Sequence, residues 1–201
     1  MKIGVIGAGG IGQAFAAHAV KAGYEVILSN SRGAQSLAEA VRKLGPRSRA
    51  GTREEAAQAD VVQLAVGWEQ VPEALSGLPP WGGRILIDST NPAVAAAGGL
   101  RLAELNGKAS SEIVASHAPG ARVVKAANTL VRAMLAADPR VAGGHRVLFI
   151  SGDEAAAKST VREILEKAGF ATIDLGDLSS AARLQQFPGG VLPTLNLVKL
   201  G

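Results

Sequence analysis

Residues 7–12 read Gly7-Ala8-Gly9-Gly10-Ile11-Gly12, which fits G-x-G-x-x-G. In a chain with 25 glycines such a string means little by itself, so its context decides. It directly follows an apolar run, Lys2 to Ile6, and opens a helical pattern, the setting that a diphosphate loop requires. Gly7 permits the tight turn, Gly9 lets backbone approach a diphosphate, and Gly12 lets the helix pack close to the sheet. The unpaired N–H groups at the helix start, with the helix dipole behind them, then attract an anion. Residues 7–12 are therefore expected to hold a dinucleotide.

The second group is Ser29-Asn30-Ser31-Arg32, at the end of the next apolar run. An NAD site places Asp or Glu about 20 residues past the glycines, where it accepts hydrogen bonds from the ribose hydroxyls. Here no carboxylate stands in that stretch to repel a 2′-phosphate. Three small polar donors and a guanidinium are present instead. Arginine suits a phosphate because its planar fork donates two parallel bonds. The expected cofactor is NADP.

In sheets of this kind the ligand crevice lies at the carboxyl ends of the strands. Ala65-Val66-Gly67-Trp68, Asn91-Pro92, Ala127-Asn128-Thr129 and the tail from Pro188 to Leu192 are expected to line the nicotinamide side. Of these, Ala65, Val66, Gly67, Asn91 and Asn128 join the cofactor-binding candidates. No Lys or His stands in an obvious general-base position there, and no Ser-His-Asp set can be assembled, so no catalytic residue is assigned. His18 falls mid-helix as a packing residue, His117 at a helix end as a carbonyl cap, and His145 at a strand start in solvent. Lys125 reads as a snorkelling or ion-paired edge residue, and Asp88 as a cap of the turn after it. A dehydrogenase acting on an alcohol needs a proton donor or acceptor beside the carbonyl oxygen. Hydride transfer to a flavin-like ring does not, so this set of residues favours a ring acceptor.

The elements that must position these residues alternate along the chain. Strands are expected at Lys2–Ile6, Glu25–Leu28, Val61–Val66, Arg84–Asp88, Arg122–Ala126, Arg146–Ser151 and Ala171–Leu175. Helices are expected near 10–22, 34–44, 100–105, 111–117, 129–137, 154–168 and 178–186, and Thr52-Arg53-Glu54-Glu55 is a capping box. Ala93 to Gly99 reads as a loop, and Val191 to Leu200 as an amphipathic tail helix. Parallel strands need helical crossovers, so the fold class is α/β: a doubly wound, mostly parallel, Rossmann-like sheet with a short C-terminal helical extension. No linker composition divides the chain, so residues 1–201 are expected to form a single domain, with 175–201 as the extension.

Composition excludes other classes. With 47% hydrophobic and 19% charged residues the chain can bury a core, and disorder is ruled out. No uncharged apolar run approaches the roughly 20 residues of a membrane helix, and no leader precedes the first strand. A cytoplasmic protein without membrane contact is expected. There are no cysteines and only three histidines, so no metal site is assigned. The net charge of +4 comes without a basic cluster, and aromatics are only 3%, which argues against nucleic acid and for a polyanionic small molecule.

The glycine string, Ser29-Asn30-Ser31-Arg32, Leu64-Ala65-Val66-Gly67-Trp68-Glu69, Val124-Lys125-Ala126-Ala127-Asn128-Thr129 and Gly176-Asp177-Leu178, with the tail from Pro188 to Leu200, stand in a familiar order. Over essentially its whole length the chain resembles the deazaflavin-dependent NADP reductases, which pass hydride between NADP and coenzyme F-420. It is also similar to the cytosolic reductase domain of the six-transmembrane metalloreductases. The resemblance implies that Ala8, Gly9, Gly10 and Ile11 contact the diphosphate, that Asn30, Ser31 and Arg32 hold the 2′-phosphate, and that Val66 lies near the nicotinamide. It also implies a homodimer with the C-terminal helices at or near the interface. Gly67 stands where the archaeal enzymes carry Pro, Ala127 where related bacterial proteins carry Phe, and Val191 where they carry Pro.

These departures face the acceptor side and leave coenzyme F-420, FMN and FAD open as small-molecule redox acceptors. Two other readings stay beside them. One is an NADPH-dependent reductase of a small carbonyl or imine, whose relatives usually append a large helical domain. The other is a nucleotide-sensing module, which usually keeps an acid after the second strand.

Overall fold

The structure, a computed structural model, describes residues 1–201. Strands β1 (Lys2–Ile6), β2 (Glu25–Ser29) and β3 (Ser48–Ala50) are joined by helices α1 (Gly10–Lys21) and α2 (Ala38–Leu44). Helix α3 (Arg53–Ala57) leads to β4 (Val61–Leu64), then α4 (Val71–Leu75) to β5 (Ile85–Asp88). A hairpin, β6 (Ala93–Ala96) and β7 (Gly99–Leu102), precedes α5 (Ser110–His117) and β8 (Arg122–Ala126). Helix α6 (Arg132–Ala136), β9 (Arg140–Val141), β10 (Gly144–Gly152), α7 (Ala155–Lys167), β11 (Ala171–Asp174), α8 (Ala182–Gln185) and β12 (Val198–Leu200) complete the chain.

The main sheet runs β11-β10-β8-β5-β4-β1-β2-β3 and is parallel from β3 through β8. Both faces are covered, so successive residues of a strand enter opposite cores. On β5, Ile85 and Ile87 join the cluster beneath α1, α6 and α7, whereas Leu86 joins the one beneath α3, α4 and α5. Thr52 and Glu55 form the expected capping box: the Glu55 N–H donates to Thr52 Oγ1 at 3.1 Å and the Thr52 N–H to Glu55 Oε2 at 2.8 Å. The topology reverses between β1 and β4, because the chain winds outward through β2 and β3 before returning. The carboxyl ends of β1 and β4 therefore flank the crevice.

Three expectations are corrected. Strand β10 runs antiparallel to β8. Helix α6 has only five residues. After α6 and the short β9 the chain enters β10 at the end lying beyond Ala126, so β10 runs back against β8, with Ile150 opposite Ala126 and Gly152 opposite Val124. Ala93–Leu102 is a β-hairpin rather than a loop followed by a helix. The tail has no helix beyond α8: Thr194 N–H donates to the Thr129 carbonyl at 2.7 Å, and β12 pairs antiparallel with the start of β10. No helix is long and apolar enough to cross a membrane.

Lys125 is ion-paired, as one of its two expected readings has it, but not at an edge. It lies on a central strand and is fully buried, and its Nζ donates to Asp88 Oδ2 at 3.1 Å and to the Thr90 carbonyl at 3.1 Å. Asp88, also fully buried, accepts from Ser111 Oγ at 2.6 Å and from the Thr90 N–H at 2.9 Å, so it does far more than cap a turn. His18 is the packing residue expected. Its Nε2 meets the Leu135 carbonyl at 2.7 Å and its ring stands edge-on to Phe170, and burial lowers its pKa. His145, exposed as expected, bonds through Nδ1 to the Gly169 carbonyl at 2.7 Å.

Removing one partner of a sealed ion pair strands a charge at a cost of about 3–5 kcal/mol. Lys125→Met is expected to lose about that much stability in urea titrations, and Lys125→Met with Asp88→Asn to recover part of it. A single variant as stable as the parent would show that the pair holds nothing together.

Candidate functional site

The glycine loop is built by close approach. Gly7 has φ +102°, and a Cβ there would lie 2.4 Å from the Ala65 carbonyl oxygen and 2.8 Å from Val66 Cγ1. A Cβ on Gly12 would lie 2.0 Å from the Gly7 oxygen, so only glycine lets α1 seat against the loop. Gly9 is different: it is extended, with φ −76°, and a Cβ there would meet nothing within 4 Å. The space over Gly9 is therefore open to a ligand. No side chain caps α1 and its first turn carries no acid, so its leading amides and dipole face that space. Ile11 and Gly10 border it half-buried, while Ala8 is buried. Gln13, which sequence reasoning passed over, donates from Nε2 to the Ala8 carbonyl at 2.8 Å and pins the loop.

The end of β2 lies alongside, since the Gly7 N–H donates to the Ser29 carbonyl at 3.1 Å. Asn30 Oδ1 accepts from the Arg32 N–H at 3.0 Å, and Asn30 Nδ2 donates to Ser36 Oγ at 2.9 Å. This Asx-type turn leaves Ser31 and Arg32 exposed beside the loop. Ser29 is a correction. It is fully buried and its Oγ donates to the Val5 carbonyl at 2.9 Å, so its hydroxyl serves the sheet. A serine at a strand end reads as a ligand donor until its register against β1 is known.

On the other side of the crevice Ala65 and Val66 are half-buried and Gly67 is exposed. Asn91 and Asn128 clamp each other: Asn91 Nδ2 donates to the Asn128 carbonyl and Asn128 Nδ2 to Asn91 Oδ1, each at 2.9 Å. The Phe187 N–H adds a bond to Asn91 Oδ1 at 3.0 Å, and Asn128 Nδ2 another to the Gln185 carbonyl at 2.8 Å. The tail is thus fastened to the carboxyl ends of β5 and β8. Ala127, at φ +57°, holds a left-handed conformation that a non-glycine residue keeps only when its surroundings fix it. Asn128 Oδ1 remains a buried acceptor with no partner. Lys125 and Asp88 lie beneath this clamp, satisfied by each other and by Thr90 and Ser111.

A cavity of about 720 Å³ adjoins the crevice on the α4–α5 flank. Trp68, Val94, Arg101, Leu105 and His117 are among its walls. Nothing local in the sequence marks it, because the β6–β7 hairpin that supplies Val94 and Arg101 to its walls is expected there as a loop and a helix.

The family described as NADP oxidoreductase, coenzyme F420-dependent, matches residues 2–92. A solved hypothetical protein from Sinorhizobium meliloti is 42% identical with a TM-score of 0.92, over 99% of this chain and 96% of that one. A putative F420-dependent NADP reductase from Arthrobacter sp. FB24 is 30% identical with a TM-score of 0.78, over 89% and 86%. Metalloreductase STEAP3 of Rattus norvegicus is 31% identical over 194 residues, 96% of this chain, and the chain spans 37% of that protein's length.

The two glycines distinguish a ligand surface from a packing surface. Gly9→Ala is expected to melt like the parent yet to lose more than about tenfold in NADPH affinity, since its methyl would enter the open space. Gly12→Ala is expected to lose about 1–3 kcal/mol of stability through overpacking. Calorimetry of both variants checks this, and full nucleotide affinity in Gly9→Ala would move the site elsewhere.

Proposed function

This chain belongs to the coenzyme F420-dependent NADP oxidoreductase family, and from that premise we propose that it passes hydride between NADP(H) and a flavin or deazaflavin. It is an NADP-dependent oxidoreductase with a Rossmann-like fold. The identity of the acceptor is our reading. One observation carries it: the only charged pair beneath the nicotinamide side, Lys125 with Asp88, is sealed and satisfied, while Ala65, Val66, Gly67, Asn91 and Asn128 present amides and aliphatic groups, the titratable Glu69, Arg101 and His117 belonging to the flanking cavity.

The residues fit the nucleotide. The uncapped start of α1 and the open face of Gly9 suit a diphosphate, and Ser31 with the Arg32 fork suits a 2′-phosphate that no nearby acid repels. When bound, the nicotinamide supplies the hydride, and the protein's part is placement and field. Val66 and the Asn91–Asn128 clamp line the place where two rings would meet. The clamp's rigidity favours a fixed approach, because an amide pair joined by reciprocal bonds cannot swing into the crevice. In this reading FMN, FAD or coenzyme F-420 approaches from the Trp68 side, where the cavity lies within the size range of ligand pockets.

Residues 1–201 would act as one unit, and as a homodimer. Support for the dimer comes from the exposed apolar residues Val191, Leu195, Leu197 and Leu200 of the tail and Leu100 of the hairpin.

Two measurements test the proposal. NADPH is expected to bind at least about tenfold tighter than NADH, and Arg32→Ala to erase most of that gap, as loss of a charge-assisted bond implies. Equal affinities in titration calorimetry would remove the 2′-phosphate assignment. With NADPH in hand, loss of nicotinamide absorbance is expected with FMN, FAD, riboflavin or coenzyme F-420. Turnover confined to carbonyls or imines would overturn the acceptor class.

A further inference from the structure

Gly10 occupies a position that the G-x-G-x-x-G pattern leaves free, and its backbone has no left-handed φ to explain it. What fills the space beside it is the stem of Arg132. A Cβ on Gly10 would lie 2.3 Å from Arg132 Cδ and 2.9 Å from its Nε. Arg132 opens α6, the helix fixed to α1 by the bond between His18 and the Leu135 carbonyl. Its side chain thus lies across the leading end of α1, arriving from the opposite side of the crevice to Arg32.

Arg132 is exposed, and its side chain takes part in no ion pair and no hydrogen bond. A guanidinium held against the positive end of a helix dipole, with no acid in the first turn, is electrostatically unfavourable unless an anion lies between them. From this geometry we infer that Arg132 is a second arginine of the nucleotide site, which closes over the diphosphate bridge, while Arg32 faces the 2′-phosphate. Its planar fork offers two parallel donors to a diphosphate, and Gly10 is glycine so that the stem can cross there. The chain segment leading to it, Asn128 to Val131, begins at the Asn91–Asn128 clamp, so Arg132 ties the diphosphate to the nicotinamide side. The inference rests on the NADP(H) reading above.

The test uses the full chain and three ligands: NADPH, NADH and adenosine 2′-monophosphate, which has no diphosphate. Arg132→Met is expected to weaken NADPH and NADH alike, by about tenfold or more, and to leave their ratio unchanged. Adenosine 2′-monophosphate is expected to bind it as it binds the parent, within about twofold. Arg132→Lys should recover part of the loss. Gly10→Ala should repeat the pattern, and combining it with Arg132→Met should add less than about twofold, because both remove one contact. Unchanged NADPH binding by Arg132→Met would overturn the inference while leaving the nucleotide site intact. Equal weakening of all three ligands would overturn it too, by showing a general disturbance of the fold. A parent protein that binds no NADPH would overturn the nucleotide reading and this inference together.

Discussion

The leading amides of α1 point into open space, and no side chain turns back to satisfy them. Most helices end this exposure with a capping Ser, Thr, Asp or Asn, as α3 does with Thr52. Here Gly9 stands at that position, and the amides remain available to an anion. Everything around the loop serves this arrangement. Gly12 and Gly7 bring helix and strand to within backbone contact, Gln13 ties down the Ala8 carbonyl, and the Gly7 N–H is held by the end of β2. The place where an anion can approach is thereby fixed relative to Ser31 and Arg32.

The opposite half of the crevice is held by a different device. A lysine and an aspartate are fully buried on neighbouring strands, β8 and β5. Burying such charges costs several kcal/mol each, and the cost is offset only when every donor and lone pair finds a partner. Thr90 and Ser111 provide those partners, and Thr90 leads directly into Asn91. The ion pair therefore sets the height of the turn from which Asn91 reaches Asn128. In the function proposed above, the chemistry would lie above a charged pair without using it, as suits a reaction whose reactive atoms belong to bound rings.

The sequence shows the first half of the molecule more clearly than the second. In residues 2–66 the strands β1, β2 and β4 carry apolar side chains on both faces, so periodicity and glycine spacing suffice for them, whereas the edge strand β3, Ser-Arg-Ala and half-exposed, leaves no such pattern and is absent from the expected strands. Beyond Asp88 the structure depends on contacts distant in sequence. The hairpin at 93–102 lacks Asn-Gly turn chemistry, and its alanines favour helix while its glycines weaken either element, so no local preference marks the strands. The tail is ordered by bonds to residues 129 and 184 and by pairing with β10, none of which leaves a local pattern. At the site, the same limit applies residue by residue. The distance past the glycines locates Arg32, which the structure leaves exposed beside the loop, whereas Ser29 turns inward to Val5, and Lys125 is central because β10 and β11 extend the sheet beyond β8. Arg132 carries no local signal at all, because its nearness to Gly10 comes from the packing of α6 on α1.

A crystal structure of the protein grown with NADP would test the central claim most directly. The account requires the diphosphate over Gly9 to Ile11 at the start of α1, with the 2′-phosphate against Ser31 and Arg32. A nucleotide lodged in the Trp68 cavity, or running across the crevice with its adenosine away from β2, would contradict it.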